Sequence, residues 1–284
     1  MNQKGNNRID AVLADAVNLL DAASASPRLD AEVLLARTIN MPRSYLFAHP
    51  EDELDDATLE RFESLLSRRA GGEPMAYIMG TREFWSRELV VSPATLVPRP
   101  ETELLVELAL REIPRKANWR ILDLGTGSGA IAIAVAGERL MCDVVATDIS
   151  AEALAIAAVN ARHLSLGNLS FAQGNWTEAV AGQQFDIIVS NPPYVRDDDE
   201  ALLNLRHEPR SALVAGADGL QAIRTLAGDC GEILKTGGRL LLEHGADQQQ
   251  AVAAILEAAG WSVATCHKDF SGLPRVTVAQ RNGK

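Results

Sequence analysis

Apolar residues recur at helical spacing through roughly the first eighty positions, then give way to short apolar runs that alternate with helical stretches. Ile9, Leu13, Ala16 and Leu20 stand three or four positions apart, which places them on one face of a helix. Ser26 followed by Pro27 offers an N-cap and a first-turn proline, so a second helix is expected through Ile39 with Ala31, Leu34, Leu35 and Thr38 on one face. Leu59, Phe62, Leu65 and Leu66 repeat the rhythm over residues 55–69. Residues 1–80 are therefore expected to form a small helical bundle.

The next stretch, 81–100, changes character. Phe84, Trp85, Leu89, Val90 and Val91 favour strands, while Pro93, Pro98 and Pro100 exclude a helix, so a β-rich connector is expected. Beyond it, strands are expected at Arg120–Leu124, Val144–Thr147, Leu169–Ala172, Phe185–Ser190, Arg239–Glu243, Trp261–Cys266 and Arg275–Ala279. Helices are expected at Ala130–Val135, Ala151–Leu164, Leu220–Leu234 and Gln248–Ala259. This alternation predicts an α/β domain over residues 101–284, a mostly parallel sheet covered by helices on both faces. The two successive strands at the end predict an antiparallel edge.

Composition narrows the class. The 284 residues are 47% hydrophobic and 23% charged, enough apolar content for a full core. A formal net charge of -11 argues against a broad nucleic-acid footprint, and no nucleic-acid partner is expected. Cys142, Cys230 and Cys266 form no CxxC pair and read as reduced thiols. The five histidines show no metal-ligand spacing, so no metal is expected. With no long apolar run and no signal-like N-terminus, a cytoplasmic monomer is the expectation.

Two motifs carry chemistry. Gly125-Thr126-Gly127-Ser128-Gly129 follows a predicted strand and opens a predicted helix, where a sharp turn and close ligand approach both call for glycine. Asp148 ends the next strand, 23 positions after Gly125, where its carboxylate can accept from both hydroxyls of a ribose. Together they point to a nucleoside-bearing cofactor. Gly125, Gly127 and Ala130 also fit the dinucleotide fingerprint of a dehydrogenase, and Asp148 could instead cap the helix that follows.

Asn191-Pro192-Pro193-Tyr194 follows the fourth strand of this domain, at the carboxyl end where ligands of α/β sheets bind. A planar NH2 group is a poor nucleophile, because its lone pair is delocalised. Two acceptors gripping it, the Asn191 side-chain oxygen and the Pro192 carbonyl, would both aim and activate it. The prolines stiffen the turn, and the Tyr194 ring can lie against a planar amide or base. In isolation the same tetrapeptide is equally a strand-ending turn.

The glycine loop, Asp148 and Asn191–Tyr194 together resemble the amino methyltransferases that use S-adenosylmethionine. Residues 73–103 (EPMAYIMGTREFWSRELVVSPATLVPRPETE), Ile121–Ala132, Glu208-Pro209 with Ala212-Leu213, Asp218-Gly219-Leu220, Leu242-Glu243-His244-Gly245 and Arg275-Val276 narrow the likeness to the HemK-type peptide chain release factor glutamine methyltransferases. The resemblance covers nearly the whole chain. It implies a seven-stranded Rossmann-like methyltransferase sheet behind a small N-terminal helical domain that docks the partner. The cofactor it implies is S-adenosyl-L-methionine, leaving as S-adenosyl-L-homocysteine. The substrate is the glutamine of the GGQ motif in class 1 release factors. By resemblance, Gly125–Gly129, Asp148, Trp176 and Asn191 bind the cofactor, Asn191–Tyr194 bind the glutamine, and Asn191, Pro192 and Tyr194 serve catalysis. Asn175 departs from the aspartate common in the family. Arg99 is read as orienting the partner or the cofactor carboxylate and Glu101 as capping a helix near Thr102, with purely structural roles equally open to both, and His244 is expected to be packed. The rival readings are a nucleic-acid adenine methyltransferase, a ribosomal-protein glutamine methyltransferase and a non-catalytic binding protein.

Overall fold

The computed structural model describes residues 7–281, and the chain divides into two compact units between Gly80 and Thr81. Among the described residues the first holds five helices: α1 (Ile9–Leu20), α2 (Pro27–Thr38), α3 (Arg43–Ala48), α4 (Asp56–Ala70) and α5 (Met75–Met79). The apolar stripe read from the sequence is their core, in which Ile9, Leu20, Leu34, Leu35 and Phe62 are buried. Asp55 caps α4 by accepting from the Thr58 amide at 2.7 Å. Pro27 opens α2 as expected, but Ser26 does not cap it with its side chain, because its hydroxyl turns to Asp30.

The second unit begins with a hairpin, β1 (Thr81–Phe84) and β2 (Arg87–Val90). Phe84 and Leu89 enter the same core as the large sheet, so this part of the proline-rich stretch belongs to that sheet's packing. Residues 91–99 follow without regular structure, then a 3-10 turn at Pro100–Thr102 leads into α6 (Glu103–Glu112).

The remaining strands are β3 (Arg120–Leu124), β4 (Asp143–Asp148), β5 (Leu169–Gln173), β6 (Phe185–Ser190), β7 (Leu234–Glu243), β8 (Trp261–Lys268) and β9 (Pro274–Arg281). They form one sheet in the order β5-β4-β3-β6-β7-β9-β8. Pairing is parallel from β5 through β7 and antiparallel for β9 with both its neighbours, which is the expected edge. Helices α7 (Ala130–Glu138), α8 (Ala151–His163), α9 (Gln221–Ile233) and α10 (Gln249–Ala258) complete the alternation. Successive residues of β3 divide between two cores. Ile121 packs with α6 and α7, whereas Leu122 and Leu124 pack with α9 and α10. A strand covered on both faces has no polar side to spare, which is why these runs are apolar throughout. Among the described residues no helix is long and apolar enough to cross a membrane.

Candidate active site

Sheet order creates the site. The chain steps outward from β3 to β4 and β5, then returns to lay β6 on the other flank of β3. Loops on the two sides of such a reversal diverge and leave a crevice at the carboxyl ends of the strands. The segments after β3, β4, β5 and β6 all open there.

After β3, Gly125, Gly127 and Gly129 take φ of 73°, 57° and 87°. A Cβ on Gly129 would stand 2.9 Å from Ile133 Cδ1 and 3.1 Å from Ala157 Cβ, so α7 and α8 tolerate only glycine at this point. Thr126, Ser128 and Gly129, expected at the cofactor, build the loop from behind and do not line the cavity. The Thr126 hydroxyl donates to Asp123 Oδ2 at 2.6 Å, and the Ser128 carbonyl accepts from Asn160 Nδ2 at 2.9 Å. Asn160 also exchanges hydrogen bonds with the Val90 backbone, at 2.7 and 3.0 Å, tying the hairpin to the glycine loop. Asp123 is wholly buried and its Oδ1 has no partner among the described residues; burial raises its carboxyl to about 7.

Asp148 accepts from the Gly127 amide through Oδ2 and from the Ser150 amide through Oδ1, both at 2.9 Å. The helix-capping role weighed for it falls to Ser150, whose hydroxyl accepts from the Ala153 amide at 3.1 Å. A cavity of about 460 Å³ lies beside these groups, lined among others by Gly125, Gly127, Asp148, Trp176, Asn191 and Pro193. Asn175 is exposed at its wall. Trp176 is held at φ 48°, a left-handed conformation that bulky residues seldom adopt and that concentrates at functional sites.

A second cavity of about 110 Å³ is lined by Arg99, Asn191, Pro192 and Tyr194, with Leu96 and Ala212 shared between the two. Asn191 faces both. Its Nδ2 donates to Thr102 Oγ1 at 3.1 Å. Among the described residues no hydrogen bond ends on Asn191 Oδ1 or on the Pro192 carbonyl. The corner is clamped from behind. Ser190 Oγ donates to the Leu124 carbonyl at 2.7 Å, and Gln248 Nε2 donates to the Tyr194 carbonyl at 3.0 Å. Burial raises the Tyr194 phenol, whose hydroxyl lies 3.5 Å from Glu243 Oε1.

Arg99 pairs with Glu208, a buried carboxylate that also accepts from the Val97 amide at 3.0 Å. This fastens residues 97–99 to the segment that follows the corner and gives Arg99 a wall-building place. Glu101 is exposed and α6 has no side-chain cap. His244 is packed as expected, its ring bonded to Thr277 Oγ1 and the Gly245 carbonyl. Of Asp197–Glu200, Asp199 caps a 3-10 turn by accepting from the Ala201 amide at 2.9 Å.

Sequence reasoning assigned no role to Thr102, Asn160, Glu208 or Glu243. Each acts on residues far away in the chain, so no spacing rule exposes it. For Glu208 and Glu243, the signal was membership in stretches shared with the family.

Comparison with known proteins covers both units. Residues 11–80 match the PrmC N-terminal domain family, and residues 115–271 match a methyltransferase domain family. The chain is 49% identical over 268 residues to the release factor glutamine methyltransferase of Salmonella typhimurium, covering 93% of this chain and 96% of that one. It is 45% identical over 262 residues to the enzyme of that name from Coxiella burnetii, covering 92% and 95%. A crystal structure of a methyltransferase from Pyrococcus furiosus matches with a TM-score of 0.53 at 20% identity, over 69% of this chain and 89% of that one, and shows the shared fold.

Proposed function

Since the chain belongs to the family of release factor glutamine methyltransferases, we propose that it methylates the side-chain amide nitrogen of the GGQ glutamine in a class 1 release factor, using S-adenosylmethionine. One observation carries this reading: Asn191 lines both the large cavity beside Asp148 and the small one beside Pro192 and Tyr194. An acceptor at that junction suits an amide nitrogen brought up against a methyl donor.

The large cavity fits a nucleoside. Asp148 offers carboxylate oxygens to ribose hydroxyls, and Trp176 offers an aromatic face to adenine. Asn175 offers an uncharged acceptor to the adenine amino group, a weaker partner than aspartate. Gly125 and Gly127 expose backbone along the wall. Bound S-adenosylmethionine supplies a methyl group already activated by its sulfonium.

The chain's own residues do the rest. Asn191 Oδ1 and the Pro192 carbonyl accept the two N–H bonds of the glutamine amide. They fix its nitrogen in line and draw electron density onto it. Tyr194 and Arg99 shape the small cavity around the side chain. The bound cofactor would supply the methyl group to this nitrogen, and the one proton the nitrogen then releases would pass to solvent. The helical unit, residues 1–80, supplies the docking surface for the partner.

Labelled cofactor tests the assignment. A class 1 release factor should take up label and lose it when its GGQ glutamine becomes alanine. Label on DNA, RNA or a ribosomal protein instead would overturn the choice of substrate. Asn191→Ala should largely retain cofactor binding and transfer about 10²–10³ times more slowly, as expected for losing one preorganised polar group. Undiminished transfer would overturn the amide grip.

A further inference from the structure

Among the described residues, six large apolar side chains of the second unit stand exposed: Leu140, Met141, Ile149, Leu203, Phe270 and Leu273. Single exposed apolar residues are ordinary on protein surfaces, so exposure alone assigns nothing. Leu140 and Met141 precede β4, at the amino end of the parallel strands, and Ile149 lines the large cavity. Phe270 and Leu273 belong to the turn between β8 and β9, and Phe270 is the most exposed of the six, at 95%. A solvated turn calls for small or polar residues, and an aromatic ring there leaves most of its surface uncovered by the fold.

The turn holds that ring on a fixed backbone. Asp269 Oδ1 accepts from the Ser271 amide at 2.9 Å and from the Leu273 amide at 3.0 Å, and Oδ2 accepts from Arg275 Nε at 3.0 Å. The Asp269 amide donates to the Leu273 carbonyl at 2.8 Å, and the Asp269 carbonyl accepts from the Gly272 amide at 2.9 Å. Chain on both sides of Phe270 is thus ordered before any partner arrives, which lowers the entropy cost of docking.

Sheet register places the turn. Ser190, Leu242 and Thr277 stand in one row across β6, β7 and β9. The next row toward the catalytic end holds Asn191, Glu243 and Val276, and residues 269–273 continue beyond Val276 on that side. The His244 amide donates to the Arg275 carbonyl at 2.9 Å, fastening the base of the turn to the end of β7. Glu243 at that end meets the hydroxyl of Tyr194, which lines the small cavity, at 3.5 Å. Three residues of strand and two strand spacings separate Leu273 from the Asn191 corner, roughly 10 Å beyond it and roughly 10 Å to the side. A standard protein interface covers about 800 Å² per partner, a disc of about 16 Å radius. A protein that brings a glutamine to Asn191 reaches the turn within that footprint.

We propose that the β8–β9 turn, with Phe270 as its anchor, is a docking element for the release factor and seats in an apolar patch beside the glutamine-bearing segment. The protein substrate is the occupant because the turn shares the catalytic end of the sheet, and a hydrogen-bonded base, with the small cavity. The inference rests on the functional reading above.

Initial rates with release factor as the varied substrate test it, for the wild type, Phe270→Ala, Phe270→Trp and Leu140→Ala. Phe270→Ala should raise KM about 10- to 100-fold, the worth of one aromatic anchor, with kcat and cofactor Kd within about twofold. Phe270→Trp, which keeps an aromatic face, should stay near the wild type. Leu140→Ala trims an exposed side chain at the far end of the strands and should leave KM unchanged. An unchanged KM in Phe270→Ala, an equal rise in Leu140→Ala, or a parallel loss of kcat and cofactor affinity in Phe270→Ala would each overturn the docking role. Concentration-dependent dimerisation of the wild type that Phe270→Ala abolishes would also overturn it, by giving the turn to a second copy of the chain. If the wild type methylates release factor with a KM indifferent to Phe270, the docking inference alone fails. If the wild type leaves release factor unmethylated, the functional reading fails with it.

Discussion

Single residues in this protein carry more than one duty, and Asp148 shows it. The same carboxylate that suits a ribose diol already accepts from the Gly127 and Ser150 amides. Asp148→Ala should therefore weaken cofactor binding about 10- to 100-fold, the worth of charged hydrogen bonds, when measured by calorimetry. Asp123 sits behind it without ligand access, and its carboxyl is pushed to about 7 by burial. The unfolded chain releases that proton near the ordinary carboxyl value of 3.8. Between those limits the native state holds a proton that the unfolded state lacks. Its contribution to stability is therefore present at low pH and lost as the pH rises through about 7. Asp123→Asn should flatten the loss of stability between about pH 4 and about pH 7 in urea melts, leaving the part due to Glu243, which titrates in the same direction. An identical slope in the variant would show that Asp123 is ionised throughout.

At the scale of elements, the Asn191–Tyr194 corner is held by segments that meet through close backbone approach and one shared side chain. Gly219, at φ 71°, comes so near that a Cβ there would stand 2.4 Å from the Tyr194 carbonyl oxygen. Gln248, just before α10, donates to that same oxygen and to the Gly219 carbonyl, so three loops share one anchor. Gly219→Ala should cost about 1–3 kcal/mol in chemical denaturation, through backbone strain and the clash. It should also lower kcat more than cofactor affinity, because the displaced atoms belong to the corner and not to the glycine loop. A variant that loses both equally would indicate a general loosening of the unit.

At the scale of the whole molecule, the described residues that line both cavities all belong to the second unit. Removing residues 1–80 should leave cofactor binding nearly intact while weakening methylation of the release factor. Calorimetry with cofactor and initial rates with the protein substrate separate the two effects. Equal losses would give the helical unit a purely structural role. The net charge of -11 bears on this scale too, since it disfavours a polyanionic substrate and leaves the selection of a protein partner to shape and local contacts.

Local order was legible before the fold was known. Helical spacing, β-branched runs and glycine positions report on neighbours in the chain, and neighbours decide backbone conformation; hence the strands, the glycine loop, Asp148 and the stiff Asn191–Tyr194 turn could be read directly, and the family likeness with them. The structure decided what stands opposite each group. Thr102 meets Asn191 across 89 positions, Tyr194 meets Glu243 across 49, Asn160 reaches Val90 across 70, and Glu208 reaches Arg99 across 109. Which polar groups meet depends on the strand ends that the sheet order brings together, and in a buried site those partners set charge, orientation and proton position. That information lies in the packing of the whole unit and in no stretch of sequence taken alone.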